Sequence, residues 1–285
     1  MHKPSIRQLK CLQTAISPVW NPWHYWQMFL VSLGLMAALG QGWQPARAQS
    51  PQAAPPEIKN VLAQIDAAAN KKDVQAVLQY YSPNFTHSDG LTRQTLEQAL
   101  TELWKRYPNL NYQTELNSWK ADGNGILTET TTKITGTQKV GTIEWKLNST
   151  LKSQQRFENQ KIVKQEILAE KSLLTSGSNP PVVTLNLPEQ VKVGQSFNFD
   201  AIVQEPLGND LLLGAALEEP VKPEGLLKPT IANLELLNAG GIFKVGRVPL
   251  TGESRWLSAI LVRHNGMTMV TQRLRVTGGK PPAAR

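Results

Sequence analysis

Thiols, imidazoles and net acidity are the scarce commodities of this 285-residue chain. Its only cysteine is Cys11, and beyond residue 48 its histidines are His87 and His264 alone. Disulfides, cysteine nucleophiles and Cys/His zinc sites are therefore excluded downstream of the first 48 residues. No uninterrupted apolar stretch reaches the roughly 20 residues a bilayer helix needs. No phosphate-binding glycine loop, Gly-x-Ser-x-Gly elbow or Ser/His/Asp set is readable, because the glycines are scattered through turns. Acids are absent from positions 1–48, which hold Lys3, Arg7, Lys10 and Arg47, so half of the formal net charge of +8 belongs to that stretch. The remainder is only mildly basic.

What those 48 residues do contain is the layout of an export signal. A basic start leads to the thirteen-residue, largely apolar run Met28 to Gly40, and Ala46-Arg47-Ala48 follows as a small-x-small cleavage site. Trp20, Trp23, Tyr25 and Trp26 precede the run, where amphipathic rings suit a headgroup interface. An uncleaved anchor is the alternative, and it is the sole membrane contact expected. Export to a periplasm or equivalent lumen agrees with a mature chain that carries no thiol to oxidise.

Stretches rich in Pro, Gly and Ser mark the expected organisation: a signal peptide over 1–48, a linker over 49–56, a first domain over 57–172, a linker over 173–181, a second domain over 182–278 and a tail over 279–285. The first domain opens helically. Ile58, Val61, Leu62 and Ile65 fall on one stripe, Asp73 is placed to cap a short second helix, and a third helix from about Thr92 ends before Pro108. From Asn109 the period becomes two, with strands expected near 110–120, 125–135, 142–157 and 161–168. In the second domain Asn265-Gly266 separates two alternating runs, as a type I′ hairpin requires. Punctuation every ten or so residues and the lack of a helical pattern suggest a β-sandwich resembling the immunoglobulin-like modules of exported bacterial proteins.

Helices followed by long strands, with the Lys72-Asp73-Val74 helix start, the Tyr81-Ser82-Pro83-Asn84-Phe85 step and the closing Arg156-Phe157 and Lys161-Ile162-Val163 hairpin, resemble the NTF2-like (SnoaL-like, ketosteroid-isomerase-like) family over roughly residues 57–170. The resemblance implies an α+β cone, three helices on a curved antiparallel sheet, with a cavity at its wide end and frequent homodimerisation through the sheet. In isomerase-like members an aspartate at the position of Asp89 abstracts a proton beside a carbonyl, helped by a tyrosine and a second acid. Here Ile65 and Ser153 occupy the two helper positions, which removes the groups that would stabilise an enolate.

Asp89 is thus the one catalytic candidate, against a simpler role capping a turn before Gly90. His87 and Asp89 form an H-x-D pair, yet no further ligand cluster accompanies them, so no metal and no cofactor is expected. Tyr81, Phe85, His87, Asp89, Trp104, Tyr107, Trp119 and Trp145 are the candidate ligand-binding residues, with Tyr112 a further ring for a flat apolar or aromatic ligand. Eleven bases against nine acids over 177–285 argue against nucleic acid. The expected function is an exported, non-catalytic binding or scaffold protein of the bacterial envelope, taking a small ligand or an envelope partner. A SnoaL-like isomerase or cyclase based on Asp89 is the alternative.

Overall fold

The computed structural model describes residues 48–208, 210–222, 232–250 and 252–278. The export signal, apart from Ala48, and the tail over 279–285 lie outside the described residues.

Helix α1, Pro56–Asn70, starts with proline at its first position, where the missing N–H costs nothing. Its stripe of Ile58, Val61 and Leu62 is buried. Helix α2, Val74–Leu78, is capped by Asp73, whose carboxylate accepts from the Ala76 N–H at 2.9 Å. Strand β1, Tyr81–His87, precedes α3, Arg93–Arg106. That helix begins with a reciprocal capping box between Thr92 and Thr95 and stops before Pro108.

Four long strands follow: β2 (Asn109–Asp122), β3 (Gly125–Val140), β4 (Ile143–Glu158) and β5 (Lys161–Gly177). Eight shorter ones complete the chain: β6 (Val183–Asn186), β7 (Gln190–Lys192), β8 (Ser196–Val203), β9 (Leu213–Pro220), β10 (Glu235–Leu236), β11 (Gly241–Arg247), β12 (Arg255–Arg263) and β13 (Gly266–Thr277). Ten of the strands form one sheet in the order β10-β9-β12-β13-β5-β4-β3-β2, with β1 beside β5 and β7 beside β13. The other three form a small sheet, β11-β8-β6.

This corrects the expected fold class. The chain is mostly strand, its helices are short, and one large antiparallel sheet takes in both segments, in place of a three-helix α+β cone followed by a separate immunoglobulin-like sandwich. The physical reason is β5. One of its edges pairs with β4 along its whole length; the other is divided, Ile162, Lys164 and Gln165 pairing with β1 and Lys171–Gly177 with β13. Thr175, Ser176 and Gly177, whose composition suggests a linker, are strand residues, the first two with partners on both sides and Gly177 paired with Gly266 on β13.

Register also shows which face each half of the sheet buries. Leu147 on β4, Leu174 on β5 and Met269 on β13 are aligned in one row, on the face that α1 and α3 cover at the β2–β5 end. On β13 the alternate residues Val270 and Leu274 point the other way, into a core shared with Phe197, Phe199, Ala201 and Ile242 of the small sheet. The two ends of the large sheet are therefore covered on opposite faces. Arg273, next to Leu274, must point away from the second core and towards the helical side.

Candidate ligand-binding cavity

Between α1, α3 and the face of β3, β4 and β5 lies a cavity of about 320 Å³. Its walls are mainly apolar, with Leu62 and Ile65 from α1 and Leu100, Leu103 and Trp104 from α3. Exposed Glu102 and Arg106 also line it. Trp104 is held in place by an Nε1–H bond to the Tyr112 hydroxyl at 2.9 Å, the two rings meeting edge to face. Burial pushes the Tyr112 phenol up, with the Trp104 bond opposing it.

The polar lining is concentrated on the sheet. His87 on β1 is the register partner of Gln165 on β5, and Gln165 is the partner of Gln155 on β4. All three line the cavity, together with Ser153 and Tyr81. Gln155 and Gln165 are 7% and 9% exposed. The Gln155 Oε1 accepts from Thr130 Oγ1 at 3.5 Å, while the Gln165 amide has no partner among the described residues. Burial pushes the Tyr81 phenol up to about 12.

His87 accepts the Asp89 backbone N–H at Nδ1, 3.1 Å away. Its pKa is lowered, first by burial and further by the Arg273 charge, against an opposing pull from Asp89. A neutral ring whose Nδ1 is an acceptor carries its proton on Nε2. The remaining Nε2–H is the donor that this ring can offer to the cavity.

Two carboxylates near this site are already engaged. Asp66 accepts from the Thr114 N–H at 2.6 Å and from its hydroxyl at 2.7 Å. Asp89 does not line the cavity: it is gripped by Arg273 in a two-pronged pair, Nη1 to Oδ1 at 2.9 Å and Nη2 to Oδ2 at 2.8 Å. Arg273 also donates to Glu170 at 3.1 Å and lies 5.7 Å from the Trp256 ring, whose Nε1–H itself donates to Glu170 at 2.9 Å. The Arg273 side chain is 4% exposed and that of Asp89 13%. Burial works against the guanidinium charge, but the two carboxylates outweigh it and hold the pKa of Arg273 above its ordinary value.

Of the eight residues singled out from the sequence, Tyr81, His87 and Trp104 line the cavity. Phe85 is buried behind it, edge-on to Tyr81 at 4.9 Å. Tyr107 packs at the margin of the same core, Trp119 donates from Nε1 to the Ser50 carbonyl at 3.2 Å, and Trp145 lies towards the far end of β4 opposite Ser176. Gln155, Gln165 and Asp66 were not anticipated. For the first a signal existed: on β4, Ser153 and Gln155 share the parity of Leu151 and Phe157, and polar residues on a buried face are the informative ones. Among the described residues no three His, Cys, Asp or Glu side chains converge as metal ligands.

A family model described as "Domain of unknown function (DUF8623)" matches residues 178–277. No curated protein matches the chain. Solved structures with NTF2-like, SnoaL-like or ketosteroid-isomerase-like folds are similar to part of it. They include AclR, a putative hydroxylase from Streptomyces galilaeus, at 19% identity over 39% of this chain and 73% of that one, with a TM-score of 0.31. An epoxide hydrolase of the LEH-like type from M. tuberculosis is 13% identical over 39% of this chain and 80% of its own, at a TM-score of 0.28. A hypothetical protein with a ketosteroid isomerase-like fold from Catenulispora acidiphila is 12% identical over 42% and 85%, at 0.28. At such scores these likenesses add nothing to what the cavity's own residues say about chemistry.

Proposed function

We propose that the protein binds a small, largely apolar molecule in this cavity without turning it over, and that it does so as an exported protein of the bacterial envelope. One observation carries the reading. The cavity is apolar with a few uncharged polar groups on its sheet side, while both oxygens of Asp89 are taken up by Arg273. A general base needs a free lone pair within reach of the substrate. A volume of about 320 Å³ is at the lower end of the range for small-molecule sites. The basic, apolar and Ala46-Arg47-Ala48 segments of the leader support export.

Calorimetric titration with 2-naphthol, a flat apolar molecule with one hydroxyl, tests the binding reading. Saturable one-site binding is expected, lost in Leu100→Trp, which fills the cavity, with cooperative unfolding retained. Binding that survives this filling would place the site elsewhere. Mass spectrometry of the native protein tests export, the expected N-terminus being Gln49.

A further inference from the structure

The polar groups of the cavity are few, and what each has left to offer can be counted. His87 spends Nδ1 on the Asp89 N–H and keeps Nε2–H. Gln155 spends Oε1 on Thr130 and keeps its amide hydrogens. Gln165, 9% exposed, spends neither end of its amide among the described residues. Because the three are consecutive register partners across β1, β5 and β4, their side chains leave the sheet side by side, about 5 Å apart at Cβ. Donors that meet no protein acceptor and open into a largely apolar cavity mark where an acceptor, from water or from a ligand, is received.

The charges around the row narrow that acceptor's identity. Among the described lining residues the ionisable cation is Arg106, exposed on the last turn of α3, and Arg273 behind the row is committed to Asp89 and Glu170. Asp66 and Glu102 add negative charge to the lining. A carboxylate or phosphate at the row would lose its hydration with Arg273 already committed, leaving only the exposed Arg106 of the described lining cations to offset it. A hydrocarbon would leave the row's donors unmet.

We infer that His87, Gln165 and Gln155 form the recognition element of this cavity, selecting uncharged apolar molecules that carry an oxygen acceptor such as a carbonyl, ether or amide. This assignment rests on the binding function proposed above. Donor hydrogen bonds in such a setting contribute about a tenfold preference each way.

The test compares three naphthalenes of similar size by calorimetry on the full-length protein: 2-acetonaphthone, 2-naphthoate and 2-ethylnaphthalene. The ketone is expected to bind about tenfold tighter than either of the others. Gln165→Leu, which breaks no side-chain hydrogen bond among the described residues, should shrink the preference over the hydrocarbon while hydrocarbon affinity holds or rises. His87→Phe should do the same independently, so the outcome does not depend on one variant folding. Equal affinity for all three, or tightest binding of naphthoate, overturns the recognition row and leaves the binding cavity standing. A ketone preference unchanged in both variants also overturns it. If none of the three binds, the cavity reading falls and this inference falls with it.

Discussion

The two cores of this protein handle buried polar groups in opposite ways. In the second, Thr268 gives its hydroxyl to the Pro181 carbonyl at 2.6 Å, and Gln272 gives its amide to the Leu187 carbonyl at 2.9 Å. Both are tied to backbone, and their neighbours Val270, Leu257 and Leu261 are buried against the small sheet. In the first, Gln165 is just as buried but donates to no described residue, and Gln155 has donors to spare. The same residue type is thus an architectural tie in one place and an open valence in the other. What distinguishes them is the cavity: where two sheets face each other side chains reach across to backbone, whereas short helices over long strands leave a hollow.

The sharpest way to break the contrast is at the residue both regions share. Arg273→Ala removes the cation that Asp89 and Glu170 share and should cost about 3–5 kcal/mol in urea unfolding. Adding Asp89→Asn should recover part of that loss, because the uncompensated charge is then gone; full additivity of the two changes would argue against the pair.

A milder test exchanges glutamine for leucine in each core. Gln272→Leu leaves the Leu187 carbonyl without its buried partner and should cost about 1–3 kcal/mol. Gln165→Leu should change stability by less than about 0.5 kcal/mol, or raise it, since no bond is lost and apolar surface is gained. Equal costs would erase the difference between the cores.

The smallest effect expected is a pH slope from His87. Its folded pKa lies below the unfolded value of 6.5, mainly through burial, so below that pH the unfolded chain takes up a proton that the folded one refuses. Stability should be at its full value above 6.5 and decline as the pH falls from there towards the folded pKa, and His87→Phe should flatten the decline. A slope of the opposite sign would mean that the Asp89 charge outweighs burial.

Local features were readable in advance where local physics decides them. The buried stripe of α1, the Asp73 cap and the presence of a hairpin between β12 and β13 follow from spacing or turn chemistry within a few residues, although that hairpin turns on His264-Asn265, with Gly266 paired to Arg263, and Asn265 and Gly266 lack the positive φ of a type I′ turn at Asn-Gly. The unity of the large sheet was not readable, because Thr175, Ser176 and Gly177 have the composition of a linker. The first two have another strand on each side, and Ser149 meets Ser172 hydroxyl to hydroxyl at 2.7 Å. Nor could Asp89 announce its partner, which lies 184 residues away. The sequence offered the carboxylate a capping role, with that of a base as the alternative, and the structure ties it to Arg273.

The divided edge of β5 also imposes an order on folding. Helices α1 to α3 and strands β1 to β5 draw mostly on near neighbours in the chain and can assemble as soon as residue 177 is available. The Lys171–Gly177 stretch must then wait for β13, the last strand, about ninety residues further on, across a loop whose closure entropy has to be met before any pairing repays it. During that interval it is an open strand edge, the feature most apt to recruit a foreign chain. The hydroxyls of Thr175 and Ser176 make that edge a poor template for apolar partners, so the residues that disguise the strand as a linker also guard it while it is unpaired.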